Sequence, residues 1–262
     1  MTEDATMKDE SAEDTKPTTG EEAPAPPPVP PLEAAALRLD RLLGGSGKDK
    51  DPHALLHSYT NPAKVVRKWL GTSSGAAGNA KVEDIQAAAH KLLDPAGPSA
   101  KGRSLLISPE QAATATTTMD VDEDGKGEKA SPYLSTASSR EVESWLLSLA
   151  VRLLWRDGKM QEALDLAQKG IDILLAHIEE ASLKITSVSV LSAASLFPLL
   201  ARMYRLRSLV AESLNDPSTS AMLLADMTKA HKMAALRRDV DSQATLLNSM
   251  LRDLLRNSQG TK

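Results

Sequence analysis

Apolar residues recur every three or four positions through most of the second half of the chain. From Ala230 to Arg256 this pattern is broken only by a charged stretch at 237–241, which predicts two helices joined by a turn. Asp239 or Asp241 suits the N-cap of the second helix, because a short carboxylate accepts from free N–H groups of the first turn. The apolar face of that helix comprises Ala244, Leu247, Met250, Leu251, Leu254 and Leu255, and the opposite side holds Thr245, Asn248, Arg252, Asp253 and Arg256.

The same periodicity begins near Arg140. There the polar positions narrow to a thin stripe, which indicates a helix covered from two sides. That stripe comprises Ser144, Ser148, Arg152 and Arg156. A turn around Gly158 leads to a second helix from about Met160 to Ile178, with the small residues Ala163 and Ala167 where two helices approach closely. The pair is typical of one tetratricopeptide-like (TPR-like) unit, which cannot bury its apolar faces without neighbours.

Two more helices follow before the final one. The first spans about Val188 to Leu214, and Pro198 inside it predicts a kink or a restart near Phe197. The next begins after Pro217. We therefore predict an all-α protein in which residues 140–256 form a TPR-like helical-repeat solenoid.

The rest of the chain is less regular. Residues 1–31 are acidic and rich in proline, which predicts disorder, and residues 257–262 are predicted to form a disordered tail. Residues 32–97 predict a small helical segment, with Gly71 to Asn79 as a flexible link inside it. Residues 98–139 predict a flexible linker with an acidic run, in which only Leu105 to Ile107 is suited to packing.

Composition supports helices over strands. The 262 residues are rich in Leu and Ala, only 3% are aromatic, and none is cysteine, so disulfides and thiolate metal sites are excluded. The net charge of -4 provides no general basic field for nucleic acid. No apolar run has the length of about 20 residues that spans a bilayer, and the polar N-terminus is no secretory signal.

The sequence contains only weak matches to calcium-binding, phosphate-binding and other metal-binding motifs. Asp120, Asp122 and Asp124 match half of an EF-hand loop, but Ser131 stands where the bidentate Glu is needed. The stretch 44–48 has the wrong glycine spacing for a phosphate loop, and the five histidines include no convincing metal spacing. We assign no catalytic, cofactor-binding or metal residue, expect no small-molecule substrate, and predict that the protein is not an enzyme.

Charge and apolar surface indicate partner binding instead. The basic residues Arg237 and Arg238, with Arg202, Arg205 and Arg207 upstream, form either an edge for an acidic partner or ordinary solvated helix ends. The candidate partner-binding residues are Arg237, Arg238, Leu247, Met250, Leu251 and Leu254.

The amino-acid sequences of several segments resemble one known family, the non-ATPase regulatory subunit 3 family of the 26S proteasome. The strongest similarity is LRRDVDSQATLLNSMLRDLL at 236–255, and further similar segments are 141–146, 159–167 and 201–204. Family members are lid subunits with helical repeats followed by a PCI domain. The resemblance implies a non-catalytic scaffold of the 19S regulatory particle lid that supports ubiquitin-dependent degradation, in the cytoplasm and nucleus, with other lid and regulatory-particle subunits as partners.

Two departures from the family shape these expectations. Pro198 falls in a helix that the family runs continuously, and the chain ends at Lys262, before a PCI domain. We expect either a truncated chain or an apolar stripe on the last helix that meets another chain. The alternative function is a free-standing TPR-like adaptor that shares only the ancestral repeats.

Overall fold

The computed structural model describes residues 29–43, 62–107, 133–135, 138–183, 187–214 and 217–259. These parts form ten α-helices and contain no strand, which confirms the predicted all-α class. The helices are α1 (Pro31–Leu43), α2 (Pro62–Thr72), α3 (Ser74–Gly78), α4 (Val82–Leu92), α5 (Ala100–Leu106), α6 (Ser139–Arg156), α7 (Met160–Leu183), α8 (Ser187–Leu214), α9 (Pro217–Leu236) and α10 (Val240–Gln259).

The helices after residue 138 stack as the TPR-like pattern predicts. Helix α6 packs on α7, α8 packs on both, and the α9–α10 pair packs on α8. Gly158 adopts a φ of 79° at the α6–α7 turn, a conformation that costs glycine least. Gly170 lets α8 approach α7 closely, because a Cβ there would lie 2.9 Å from Cε of Met203.

Helix α6 is the central element of the fold. It contacts α1, α4, α5, α7 and α8, so the first half of its polar stripe is covered as well as its apolar faces, whereas Arg152 and Arg156 of the stripe are exposed. Ser144 and Ser148 are buried, and their hydroxyls donate to backbone carbonyls of α6 itself, at 2.8 Å to Arg140 and 2.7 Å to Trp145. The predicted packing of other helices on two sides of α6 is therefore confirmed, and it also buries Ser144 and Ser148 of the polar stripe.

Helix α8 runs without a break through Pro198, so of the two predicted outcomes near Phe197 the restart is wrong, and the kink stays a prediction. Proline removes one backbone hydrogen bond from a helix, but its fixed φ is close to the helical value. Side-chain contacts hold α8 on both sides of the proline, from Ser195 to Glu141 of α6 and from Ser208 to Asp253 of α10.

The N-terminal helices join the same core. The indole N–H of Trp69 donates to the carbonyl of Ala35 at 2.7 Å, and its ring lies 4.9 Å from that of Trp145 on α6. Both rings belong to one continuous cluster of buried residues that extends from α1 to α10. The helices of the segment 32–97 and those after residue 138 thus share one hydrophobic core.

Two local predictions in this region are wrong. The segment from Gly71 to Asn79 is mostly helical, because α2 continues to Thr72 and α3 follows. The predicted linker 98–139 begins with helix α5, although the burial of Leu106 and Ile107 confirms that the stretch Leu105 to Ile107 packs. Residues 1–28, the glycine stretch 44–48 and the acidic run at 120–124 lie outside the described residues.

Candidate interaction surfaces

Helix α10 packs on the core with a different face from the one that its apolar pattern predicts. Its buried positions are Ser242, Leu246, Ser249 and Asp253. Leucines of the predicted inward face are exposed instead. Periodicity located the helix and its stripe, but the stripe is at the surface.

Polar contacts explain this orientation. The hydroxyl of Ser208 on α8 donates to both carboxylate oxygens of Asp253, at 3.0 and 3.2 Å. Burial raises the pKa of Asp253, while the hydrogen bond from Ser208 opposes that rise. Nearby, Nε and Nη2 of Arg252 donate to the two carboxylate oxygens of Glu212, at 2.8 and 3.1 Å. The inward face of α10 therefore combines the buried Leu246 with polar side chains that hydrogen-bond to α8.

The exposed face of α10 forms an apolar surface, which we call the α10 stripe. It comprises Leu247, Leu251, Leu254 and Leu255, whose exposed fractions run from 45% to 64%. Met250 lies beside it, half-buried against the core, and its sulfur accepts from the Thr228 hydroxyl at 3.6 Å. Four exposed leucines on one helix are an unusual surface for a protein without a partner.

Arg237 and Arg238 play different parts at the end of α9. The guanidinium of Arg237 lies 4.6 Å from the ring centroid of Phe197 and donates to the Ser182 hydroxyl at 3.3 Å. Arg238 adopts a φ of 55° in the α9–α10 turn and is exposed. Of these two predicted site residues, Arg237 is engaged within the fold and Arg238 extends the charged surface of the turn.

Asp239 is the N-cap of α10. Its Oδ1 accepts from the backbone N–H of Ser242 at 3.2 Å, and its Oδ2 accepts from the Ser242 hydroxyl at 2.7 Å. The same carboxylate forms an ion pair with Arg67 of α2, which also pairs with Asp241. Of the two N-cap candidates in the sequence, Asp239 and Asp241, the structure therefore shows Asp239 as the cap. No sequence pattern indicates Arg67, because it lies 172 residues away.

The upstream arginines do not form one surface. Arg207 is buried and lies 3.7 Å from Asp226 of α9, and burial is the main cause of a lowered pKa. Arg202 and Arg205 instead line a hollow with Arg67, between α2, α8 and α10. Two of these three arginines therefore lie at the surface, and the choice between an edge for an acidic partner and ordinary solvated helix ends stays a prediction.

Among the described residues, a buried glutamate and histidine come nearest to a catalytic pair. Oε2 of Glu143 lies 2.9 Å from Nε2 of His177, which borders a hollow of about 340 Å³. The other oxygen, Oε1, accepts from the backbone N–H of Gly102 at 2.6 Å. In the described parts of the chain, no hydroxyl or second acid hydrogen-bonds to His177, so the pair holds α5 against α6 and α7.

A second buried carboxyl lies two residues earlier on α6, on another side of the helix. Glu141 accepts from the hydroxyl of Ser195 on α8, and burial raises the pKa of Glu141 to about 7, against that hydrogen bond and the charge of Arg140. Among the described residues, no group of three potential metal ligands comes together. None of the described helices is both long and apolar enough to span a membrane.

The helices stack in pairs around one hydrophobic core. This arrangement defines a helical-repeat protein of the TPR-like class. A family model described as PSMD3-like, N-terminal TPR repeats matches residues 88–262, about two thirds of the chain. The chain belongs to that family, which confirms the resemblance to proteasome subunit 3. No curated protein and no solved structure matches the chain.

Proposed function

We propose that the chain is a non-catalytic scaffold subunit of the 26S proteasome, in the lid of the 19S regulatory particle. The observation that supports this most strongly is the family match over 88–262, which includes every helix from α5 to α10. In this role the protein supports ubiquitin-dependent degradation in the cytoplasm and nucleus. Its partners are other lid and regulatory-particle subunits.

The α10 stripe is the proposed contact with a neighbouring subunit. A repeat unit buries its apolar face only when another unit stacks on it. Leu247, Leu251 and Leu254 lie at the three- and four-residue spacing that an amphipathic helix of a partner fits. We therefore assign the stripe to an amphipathic helix of an adjacent lid subunit, with Met250 at its inner edge.

Affinity purification from cells tests this function. A tagged 262-residue chain is expected to copurify with regulatory-particle subunits, detected by mass spectrometry, and to sediment with the assembled particle. The double variant Leu247→Glu, Leu251→Glu is expected to lose most of this association. The matched control is Leu42→Glu, which changes a leucine of α1 that is 52% exposed.

The alternative is a free-standing adaptor. Such a protein would be recovered without lid subunits, and its sedimentation would not follow that of the regulatory particle. Recovery of that kind, from cells in which endogenous lid subunits are abundant, would overturn the proposed lid role. Equal association of the double variant and the control would overturn the assignment of the α10 stripe.

A further inference from the structure

A hollow of about 400 Å³, which we call the α6 hollow, lies between α6 and the segment that joins α3 to α4. Its volume is within the range of about 300–1,000 Å³ that small-molecule sites occupy. Gly78 and Ala80 line it from the α3–α4 segment. The residues that line it from α6 are Leu149, Arg152, Leu153, Trp155 and Arg156. Both parts of the chain are therefore needed to form the hollow.

Much of the lining is apolar and firmly held. Ala80, Leu149 and Leu153 are each at most 6% exposed. Trp155 is half-buried, and its indole N–H donates to the hydroxyl of Ser213 on α8 at 3.1 Å. Because this hydrogen bond fixes the orientation of the ring, a ligand does not have to immobilise it. A flat apolar group can pack on such an aromatic surface.

The charge of the lining is positive. Arg152 is exposed, and among the described residues no carboxylate forms an ion pair with it. Arg156 is also exposed, and its ion pair with Asp157 is long, at 3.6 Å. Burial lowers the pKa of Arg202 on α8 most, and the nearby charges of Arg152 and Arg205 lower it further. Like charges held this close favour an anionic ligand, and no acidic residue lines the hollow.

We propose that the α6 hollow binds a small aromatic anion, whose ring packs on Trp155 and Leu153 and whose anionic group pairs with Arg152. The guanidinium fork matches a planar carboxylate in two parallel hydrogen bonds. Arg152 and Trp155 are three residues apart, so they lie on the same side of α6, about 4.5 Å apart along its axis. An anionic group attached directly to an aromatic ring can therefore reach the guanidinium while the ring contacts the indole. The lining contains no histidine, carboxylate or hydroxyl to act on the bound molecule, which makes it a ligand and not a substrate.

The full chain alone tests this, with 2-naphthoate as the probe and the neutral 2-naphthamide as its match. The chain has three tryptophans, and two of them, Trp69 and Trp145, are at most 2% exposed. In an NMR spectrum of the isotope-labelled chain, 2-naphthoate is expected to shift the indole N–H signal of Trp155 and to leave the other two in place. Trp155→Phe identifies that signal by removing it. Titration is expected to show binding of 2-naphthamide at least about fivefold weaker than that of 2-naphthoate.

Removal of one charge tests the anionic part of the proposal. Arg152→Gln changes an exposed side chain, so folding is retained. It is expected to weaken binding of 2-naphthoate about three- to tenfold and to leave binding of 2-naphthamide unchanged. Arg38→Gln, at an exposed position of α1 outside the hollow, is the control and is expected to bind both probes as the parent chain does.

A larger side chain at Gly78 tests the place of binding. A Cβ added at Gly78 meets no atom within 4 Å, so there is space for a larger residue. Gly78→Leu reduces the volume of the hollow and is expected to weaken binding of both probes at least about tenfold. Gly71→Leu is the matched control, because an added Cβ there is equally free of contacts and Gly71 does not line the hollow. Circular dichroism melting verifies that all variants fold.

Four results would overturn the proposal. The first is a Trp155 signal that millimolar 2-naphthoate leaves in place. The second is equal affinity for 2-naphthoate and 2-naphthamide. The third is binding of 2-naphthoate that neither Arg152→Gln nor Gly78→Leu weakens, which would place it elsewhere on the chain. The fourth is tighter binding of the peptide acetyl-Gly-Gly-Trp with a free terminal carboxylate, which would identify a polypeptide end, and not a small molecule, as the ligand.

Discussion

Gly102 of α5 and Glu143 of α6 are in direct contact, with the backbone N–H of Gly102 donating to Oε1 of Glu143 at 2.6 Å. A Cβ at residue 102 would lie 2.2 Å from that oxygen, so only glycine fits. The other carboxylate oxygen contacts His177 of α7. One glycine therefore permits a carboxylate to join three helices.

Gly102→Ala is expected to destabilise the protein by about 2–3 kcal/mol, because the carboxylate must move and both of its contacts weaken. The control is Gly71→Ala near the end of α2, where no atom lies within 4 Å of the added Cβ. That change is expected to stabilise by about 0.5 kcal/mol, since it lowers the entropy of the unfolded chain. Urea unfolding measures both, and equal effects at the two glycines would contradict the tight contact.

Glu141 is expected to make stability decrease as pH rises. Burial raises its folded-state pKa from 4.5 to about 7, so between those values the folded chain holds a proton that the unfolded chain has released. Stability from this group is therefore complete below pH 4.5, falls as pH rises to about 7, and is constant above. One pKa unit corresponds to about 1.4 kcal/mol, which gives a loss of about 3 kcal/mol across the range.

Comparison with Glu141→Gln isolates this effect, because glutamine is neutral and can still accept from Ser195. The free energy of unfolding of the variant, minus that of the parent, is expected to rise by about 3 kcal/mol between pH 4.5 and pH 8. Glu162→Gln changes an exposed carboxylate of α7 and is expected to show no such rise. Parallel curves for the parent and Glu141→Gln would refute the raised pKa.

The sequence predicted the helices well and the contacts between distant helices poorly. The spacing of leucines located α6, α7 and α10 because helical periodicity is a local property. The burial of Asp253 depends on Ser208, 45 residues earlier, so local spacing could not reveal which face of α10 turns inward. Arg67 and the Gly102 contact were missed for the same reason, since only the fold brings those residues together with their partners.

Adjacent leucines on α10 test its orientation. Leu246 is 2% exposed and Leu247 is 45% exposed. Leu246→Ala is expected to cost about 2–4 kcal/mol through loss of buried contacts, whereas Leu247→Ala is expected to cost less than about 1 kcal/mol. Thermal or urea unfolding compares the two variants directly. The reverse order would mean that the apolar stripe faces the core and that the proposed partner surface does not exist.

Arg67 and Asp239 connect the first half of the chain to the last helix, and a double-mutant cycle is expected to detect this connection. Asp239→Ala removes the N-cap of α10 and one ion pair, so it is expected to cost about 2 kcal/mol or more. Arg67→Ala leaves the cap in place and removes the ion pairs with Asp239 and Asp241. Because the Asp239 side chain is only 7% exposed, the coupling energy is expected to be about 1–2 kcal/mol.

The matched cycle uses Arg252 and Glu212, an ion pair at 2.8 Å whose side chains are more exposed. Its coupling is expected to stay below about 1 kcal/mol, because solvent screens exposed pairs. Hydrogen exchange adds a local measurement: Arg67→Ala is expected to speed exchange in the first turn of α10, although the substitution is on α2. If that turn exchanges at the parent rate and the two cycles give equal coupling, then α2 does not stabilise the last helix, and α9–α10 is held by α8 alone.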